Sequence, residues 1–304
     1  MNIRDLEYFA AVAGTGHFGR AAEQCFVSQP TLSGQLRKLE EELGVALFER
    51  NAKGARLTPA GQSLLPYARG ILDQARRLSE AARALKDPRT GPLHLGVIPT
   101  LAPYLMPLVV PFTRKSHPKL ELYLSEMRTR DLLRALADGP IEAALLALPF
   151  DQAGMESETI FTEPFFLAVP AAHPLARKSA LKIADLEGHI LYLLEEGHCL
   201  KDQALEVCSA AGAHEHPHFR ATSLETLRQM IGTGNGMTLM PGLAAQAPHA
   251  ASNSVRYLPF KQPGPDRKIA LAWRKGSPRA GFMKGWAREM AKHLATLAAE
   301  SATP

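Results

Sequence analysis

The stretch AAEQCFVSQPTLSGQLRKLEEELG occupies residues 21–44. Ala21 and Ala22 are small enough for close helix packing and belong to a short helix from about Gly19 to Cys25. Phe26 and Val27 form a turn. Ser28 has the side chain of an N-cap, and Pro30 falls in the first turn, where an amide N–H is not needed. Leu32, Leu36, Leu39 and Leu43 recur at helical spacing as the buried stripe of a second helix, which Gly44 stops. Short helix, tight turn and second helix make a helix-turn-helix, whose second helix meets base edges and phosphates with its first residues. Here those residues are Ser28, Gln29, Pro30, Thr31, Ser33 and Gln35, small or able to hydrogen-bond. The helix N-terminus adds unpaired N–H groups for phosphate. Arg37 and Lys38 follow one turn on, whereas Glu40, Glu41 and Glu42 crowd the far end.

The pattern extends both ways. Upstream, Leu6, Phe9, Ala10 and Ala13 mark a helix ended by Gly14 and Gly16. Downstream, ALFERNAKGARLTPAG (46–61) reads strand, turn, strand, with Arg50, Lys53 and Arg56 flanking the tip of a wing suited to following a DNA backbone. A helical bundle with a solvated charged face explains any one of these residues, but poorly explains their order.

Composition sets the outer bounds. The 304 residues suffice for about two domains, and 46% hydrophobic content argues against wholesale disorder. No run approaches the length of a membrane span, and the charged start MNIRDLEYFAAVA is no signal peptide. Three cysteines argue against a secreted disulfide framework, so a cytoplasmic protein is expected. The net charge of +5 hints only weakly at an acidic partner, because residues 1–58 hold seven Lys/Arg and seven Asp/Glu.

Residues 59–88 read as one long linker helix. Leu64, Leu65, Ala68, Leu72, Ala75, Leu78, Ala82 and Leu85 form a stripe best covered by a partner helix, so homodimerisation through it is expected. Pro66 predicts a kink or a late start. Asp87-Pro88 and Gly91-Pro92 mark a boundary.

From Leu93 onward strands alternate with helices, which predicts an α/β sensor of two lobes around a parallel sheet. Residues 89–163 and 268–304 form lobe I and residues 164–267 lobe II, with hinges near 161–164 and 267–269. Ligands in such folds bind at the carboxyl ends of strands. Thr100 and Thr129 fall there, although each also reads as a plain N-cap. GTGNG (232–236) follows a helix and precedes a strand, the wrong order for a dinucleotide loop, and reads as a helix-ending turn. No P-loop, zincin or G-x-S-x-G motif appears, and a thiol enzyme such as a peroxidase, which would share a reactive cysteine, has no use for a helix-turn-helix, so a non-enzymatic protein is expected.

Two of the cysteines lie in EEGHCLKDQALEVC (195–208). A helix begins after Gly197 and ends at Gly212, with Leu200, Ala204, Leu205, Val207, Cys208 and Ala211 on one face. Cys199 falls at its N-cap, where the helix dipole favours a thiolate. Lys201 and His198 can add positive charge. Cys208 lies on the apolar face. Nine helical steps separate their Cα atoms by roughly 13 Å, whereas a disulfide needs them within about 7 Å. Bonding therefore requires the helix to open, which makes a two-state switch possible. Thiolate oxidation to sulfenic acid followed by condensation with the second thiol is the chemistry that fits. Thr100, Thr129 and His198 are candidates to place a peroxide, and Arg267 to stabilise charge. Alternatives remain: a metal site from His198, Cys199, Cys208, His214, His216 and His218, with His214 and His216 read as loop, or two unrelated cysteines. No metal or cofactor is expected.

AAEQCFVSQPTLSGQLRKLEEELGVALFER followed by RLTPAG closely resembles the winged helix-turn-helix of LysR-type transcriptional regulators. The resemblance implies a winged helix-turn-helix over residues 1–58, a linker helix, and a two-lobed α/β sensor like periplasmic binding proteins. GHCLKDQALEVC, HFRATSLETLRQM and LHLGVIPT resemble in particular the family's peroxide-sensing branch, which carries both cysteines where most members lack them. That implies Cys199 as peroxidatic and Cys208 as resolving cysteine, with Thr100, Thr129 and His198 around the peroxide. Lys201 departs from the Arg common there, keeping the charge but losing the guanidinium fork. Cys25 reads as a buried packing residue. The implied partners are double-stranded DNA at promoter operators, further copies of the chain in a dimer of dimers, RNA polymerase, and a cellular dithiol reductant. The runner-up is a LysR-type regulator whose small-molecule effector binds between the lobes, with the cysteines incidental.

Overall fold

In a computed structural model, residues 1–51, 54–234, 236–247 and 253–301 are described. Lys53 and the side chain of Arg50 lie outside the described residues. The chain divides into two compact units, Met1–Arg83 and Ala84–Pro304.

The first unit contains α1 (Ile3–Thr15), α2 (Phe18–Gln24), α3 (Gln29–Leu43), the hairpin β1 (Phe48–Asn51) and β2 (Gly54–Leu57), and most of α4 (Pro59–Lys86). Asn2 and Asp5 form a reciprocal capping box on α1. Leu6, Phe9 and Val12 of α1, Ala21 and Ala22 of α2, and Leu32, Leu36 and Leu39 of α3 meet in one core with Leu47 and Phe48. Phe48 takes the edges of Phe9 and Phe18 at ring separations of 5.6 and 5.8 Å. Leu43, expected on the buried stripe, is 38% exposed, because the last turn of α3 runs beyond this core. Cys25 is half-buried at the core's edge rather than fully inside. Gly54 is required where the wing meets the body: a Cβ there would sit 2.6 Å from the Gly16 carbonyl oxygen, and the Ala55 N–H donates to that same oxygen at 2.9 Å.

Helix α4 starts at Pro59 and continues through Pro66, so no late start occurs. Leu65 and Ala68 join the first core, whereas Leu78 and Leu85 are 75% and 73% exposed.

The second unit runs β3 (Gly91–Val97), α5 (Ala102–Ser116), β4 (Leu120–Glu126), α6 (Thr129–Asp138), β5 (Ala143–Ala147), β6 (Met155–Pro170), β7 (Ile190–Leu194), α7 (Cys199–Ala211), β8 (His214–Ala221), α8 (Leu224–Gly232), β9 (Thr238–Pro241), α9 (Gly242–Ala245), β10 (Val255–Pro259), β11 (Asp266–Arg274) and α10 (Ala280–Ser301). The seven-stranded sheet has the order β10-β6-β11-β5-β3-β4, with β9 also on β6. The alternation predicts a parallel sheet, and only part of it is parallel: β3 pairs parallel with β4 and β5. Strands β6 and β11 run antiparallel to each other and to their other neighbours. The reason is that both are crossovers, one leaving lobe I and one returning to it. Strand β6 spans 16 residues, so FFLAVP is the second half of a longer strand.

Two hydrophobic cores result. One gathers β3, β5, the middle of β11, α5, α6 and α10, including Trp273 and Trp286. The other gathers the second half of β6, β7, β9, α7 and α8. His214 and His216 lie on β8, which pairs in parallel with β7, and not on a loop. HEHPH (214–218) holds no apolar residue but Pro217, so no apolar alternation announces a strand there.

Candidate functional site

On the first unit, Ser28 caps α3 by accepting from the Thr31 N–H at 3.3 Å. Ser28, Gln29, Pro30 and Thr31 are exposed, and Ser33 and Gln35 are half-buried one turn on. Arg37, Lys38 and, on β2, Arg56 are exposed. The helix start therefore offers small polar groups and amide N–H groups to solvent, with cations beside it, an arrangement able to engage phosphate and base edges.

On the second unit, α7 begins one residue earlier than expected. His198 is its N-cap and Cys199 its first helical residue. The helix belongs to the second core through Leu200, Ala204, Cys208 and Ala211. Cys199, half-buried, instead packs against the first core. The thiol at the helix start thus sits at the seam of the lobes, and the thiol near its end is 3% exposed inside lobe II. Both are free. Burial, reinforced by the Glu215 carboxylate, pushes the Cys208 thiol up to about 11, so it is protonated at neutral pH.

The residues around Cys199 are held from both lobes. Gly197 has φ +93°, and a Cβ on it would lie 3.2 Å from the Arg128 side chain. Arg128 pairs with Glu195, spanning from the start of α6 to the end of β7. Next to these, Thr129 is the first residue of α6 and His198 is buried at 4% exposure. The Thr129 hydroxyl oxygen and His198 Nε2 are both buried without a hydrogen-bond partner among the described residues. Burial, then the Arg128 charge, lowers the His198 imidazole below its ordinary value and keeps it neutral near pH 7. Two orphaned polar atoms, one on the residue before Cys199 and one on the residue after Arg128, are unusual in a folded interior, where nearly all such groups are satisfied. They suit a small polar guest.

Thr100 and Arg267 meet directly. Arg267 Nη1 donates to Thr100 Oγ1 at 3.0 Å and Nη2 to the Thr100 carbonyl at 3.3 Å. Arg267 Nε donates to Glu163 Oε2 at 2.7 Å, and the other Glu163 oxygen accepts the Leu243 N–H at 2.7 Å. Because Thr100 Oγ1 accepts from the guanidinium, its own hydrogen remains to be donated. Thr100 is not an N-cap, since that position belongs to Leu101, and Thr129 lies inside its helix.

The sequence reading missed Arg128, Glu163, Glu195 and Glu215. Glu163 had a signal, a lone acidic residue in the apolar run FTEPFFLAV (161–169). The others look like ordinary surface charges until the fold pairs them. Among the described residues, no three His, Cys, Asp or Glu side chains converge as a metal site. A cavity of about 610 Å³ lies along α7, walled by Gln203, Val207 and Ala210 and by Leu148, Pro149 and Arg267.

Comparison with known proteins places these features in a family. Residues 3–62 match the model of the bacterial regulatory helix-turn-helix protein, lysR family, and residues 86–295 match the LysR substrate binding domain. The chain is 46% identical to the hydrogen peroxide-inducible genes activator of Dickeya chrysanthemi, over 99% of this chain and 100% of that one. It is similar to the solved reduced form of OxyR at 42% identity and TM-score 0.62, and to the oxidised form at 44% and 0.62. Each covers 68% of this chain and 97% of the other. No helix among the described residues is long and apolar enough to cross a membrane. The chain belongs to the LysR family of bacterial helix-turn-helix regulators.

Proposed function

We propose that the chain is a hydrogen-peroxide-responsive transcription regulator that uses Cys199 and Cys208 as a disulfide switch. One observation carries this reading. A half-buried thiol opens α7 at the seam between the two cores, and a buried thiol sits on the same helix, too distant to bond while the helix is wound. The similarity to a peroxide-inducible activator supports the stimulus.

The chemistry balances as follows. The Cys199 sulfur, as thiolate, attacks one peroxide oxygen and the O–O bond breaks. Sulfur keeps an OH as sulfenic acid, and the departing hydroxide takes a proton to become water. Two electrons have moved from sulfur to peroxide. The Cys208 sulfur then attacks the Cys199 sulfur, forming S–S and releasing the OH, which leaves as water with the Cys208 proton. In this reading the Thr129 hydroxyl, the Thr100 hydroxyl and neutral His198 hold the peroxide. Arg267 orients Thr100.

Disulfide formation must unwind at least the first turn of α7. That frees Cys199 from the first core and alters the surface of lobe II. In a dimer of dimers assembled through α4 and the sensor units, the change is transmitted to the spacing of the DNA-reading helices and so to operator contacts. Ser28, Gln29, Pro30, Thr31, Ser33, Gln35, Arg37, Lys38, Arg50, Lys53 and Arg56 form the DNA-facing set. RNA polymerase recruitment and resetting by a cellular dithiol complete the cycle. The protein consumes peroxide once per cycle as a signal, not as an enzyme's substrate, and works in the cytoplasm.

The test is peptide mass spectrometry after one equivalent of hydrogen peroxide, beside Cys199→Ser. A fast Cys199–Cys208 crosslink absent from the variant is expected. Free thiols after treatment overturn the reading. The cavity along α7 favours one alternative, a small-molecule effector bound between the lobes. In that case Cys199→Ser leaves the DNA response to effector intact.

A further inference from the structure

Lys201 is a cation in an unusual place. It is in the first turn of α7, two residues after Cys199, and its side chain is only 8% exposed. Its Nζ lies 3.6 Å from Glu215 Oε1 on β8 and 3.7 Å from Glu196 Oε1. Glu196 is 83% exposed, so water screens it strongly, whereas Glu215 is 22% exposed. Glu215 therefore carries most of the compensation for the buried ammonium. Its other neighbour, Arg220 Nε at 3.5 Å, is 51% exposed. Glu215 also faces Cys208, whose thiol its charge disfavours ionising. One carboxylate thus pairs with the first turn of α7 and also bears electrostatically on Cys208 near its end.

Geometry turns this contact into a latch. To reach Cys208, Cys199 must close about 6 Å or more of the roughly 13 Å that nine helical steps impose. Lys201 is within the turn that has to open, and it cannot follow Cys199 while remaining on Glu215. The ion pair exists in the wound, dithiol form, and unwinding the first turn to bring Cys199 to Cys208 would pull Lys201 away from Glu215.

We propose that Glu215, through its pair with Lys201, is a positioning residue that holds the first turn of α7 wound and so sets the redox equilibrium of the Cys199–Cys208 couple. This rests on the switch reading above. The latch stabilises the dithiol state and opposes the disulfide, and the disulfide becomes correspondingly easier to reduce. Removing the carboxylate leaves a buried ammonium without its main partner, which destabilises the wound turn. Disulfide formation is then favoured.

The test measures the dithiol–disulfide equilibrium of the full-length protein in glutathione buffers, by alkylation and mass spectrometry. The set is the wild type, Glu215→Gln, Glu215→Ala and Lys201→Arg. Both Glu215 variants are expected to shift the equilibrium at least tenfold toward disulfide, about 30 mV more negative for a two-electron couple. The two differ in volume and amide content, so failure of one to fold leaves the other to be read. Lys201→Arg keeps the pair and should stay within twofold of wild type. The latch is overturned if the folded Glu215 variants also stay within twofold, or if Lys201→Arg shifts as far as they do. If wild-type protein forms no Cys199–Cys208 disulfide at any glutathione ratio, the switch reading itself fails, a result distinct from either outcome.

Discussion

Glu163→Gln tests how the site is held together. Glu163 and Arg267 come from the two crossover strands, their side chains are 2% and 0% exposed, and they meet at 2.7 Å. Both carboxylate oxygens are used, one by Arg267 Nε and one by the Leu243 N–H. Gln has the same shape but one oxygen. One of the two N–H donors must therefore face an NH2 group, and the guanidinium loses its counter-charge. Removing one partner of a buried pair costs about 3–5 kcal/mol. For a unit of this size, with roughly 2–4 °C per kcal/mol, Tm should fall by about 6 °C or more. Both tryptophans, Trp273 and Trp286, are buried in this unit, so their fluorescence reports its unfolding and not that of the DNA-reading unit. Glu158→Gln provides the comparison. Its pair with Arg288 is 2.9 Å long, but the side chains are 25% and 61% exposed, and its loss should cost less than about 1 kcal/mol. Equal effects from the two substitutions, or a Glu163→Gln cost under about 1 kcal/mol, would refute the reasoning. A second readout follows from Thr100, whose hydroxyl Arg267 orients: Cys199 oxidation should slow in Glu163→Gln and not in Glu158→Gln.

Two further outcomes are expected. Phe26 has φ +54° and is 95% exposed, so Phe26→Asn, which tolerates the left-handed region, should raise stability by up to about 1 kcal/mol in thermal unfolding. A loss of stability would mean that the ring makes a contact worth more than the backbone strain. The Cys208 thiol, pushed from 9.0 to about 11, stabilises the fold fully below pH 9, where both folded and unfolded forms are protonated. That contribution, of order 2–3 kcal/mol, is lost as pH rises from 9 through 11. Denaturant midpoints of wild type and Cys208→Ala across this range should converge, and parallel pH profiles would rule the effect out.

The N-terminal unit was largely legible because its signals are local. Ser28 caps α3, Gly44 ends it in the left-handed conformation, and Leu32, Leu36 and Leu39 fill the core. Leu43 shows the limit: periodicity says which face of a helix is apolar, not where the partner stops. The sheet was half legible. Alternation of strands and helices placed β3, β4 and β5, but strand direction in the crossovers depends on how the chain returns between lobes, and β6 and β11 came out antiparallel.

The sequence by itself determined which residues could do redox chemistry: two cysteines on one helix, nine residues apart, the first at its start. That follows from the helical rise and the dipole, both properties of a single element. Only the tertiary structure decided what surrounds them. Arg267 finds Glu163 across 104 positions and Thr100 across 167. Lys201 finds Glu215 on β8, and Arg128 reaches from α6 to Glu195. A charge is inexpensive to place anywhere on a solvated chain, so its position along the sequence says little about its partner. Once packing removes the water, an unpaired charge costs several kcal/mol, and burial makes the pairing specific.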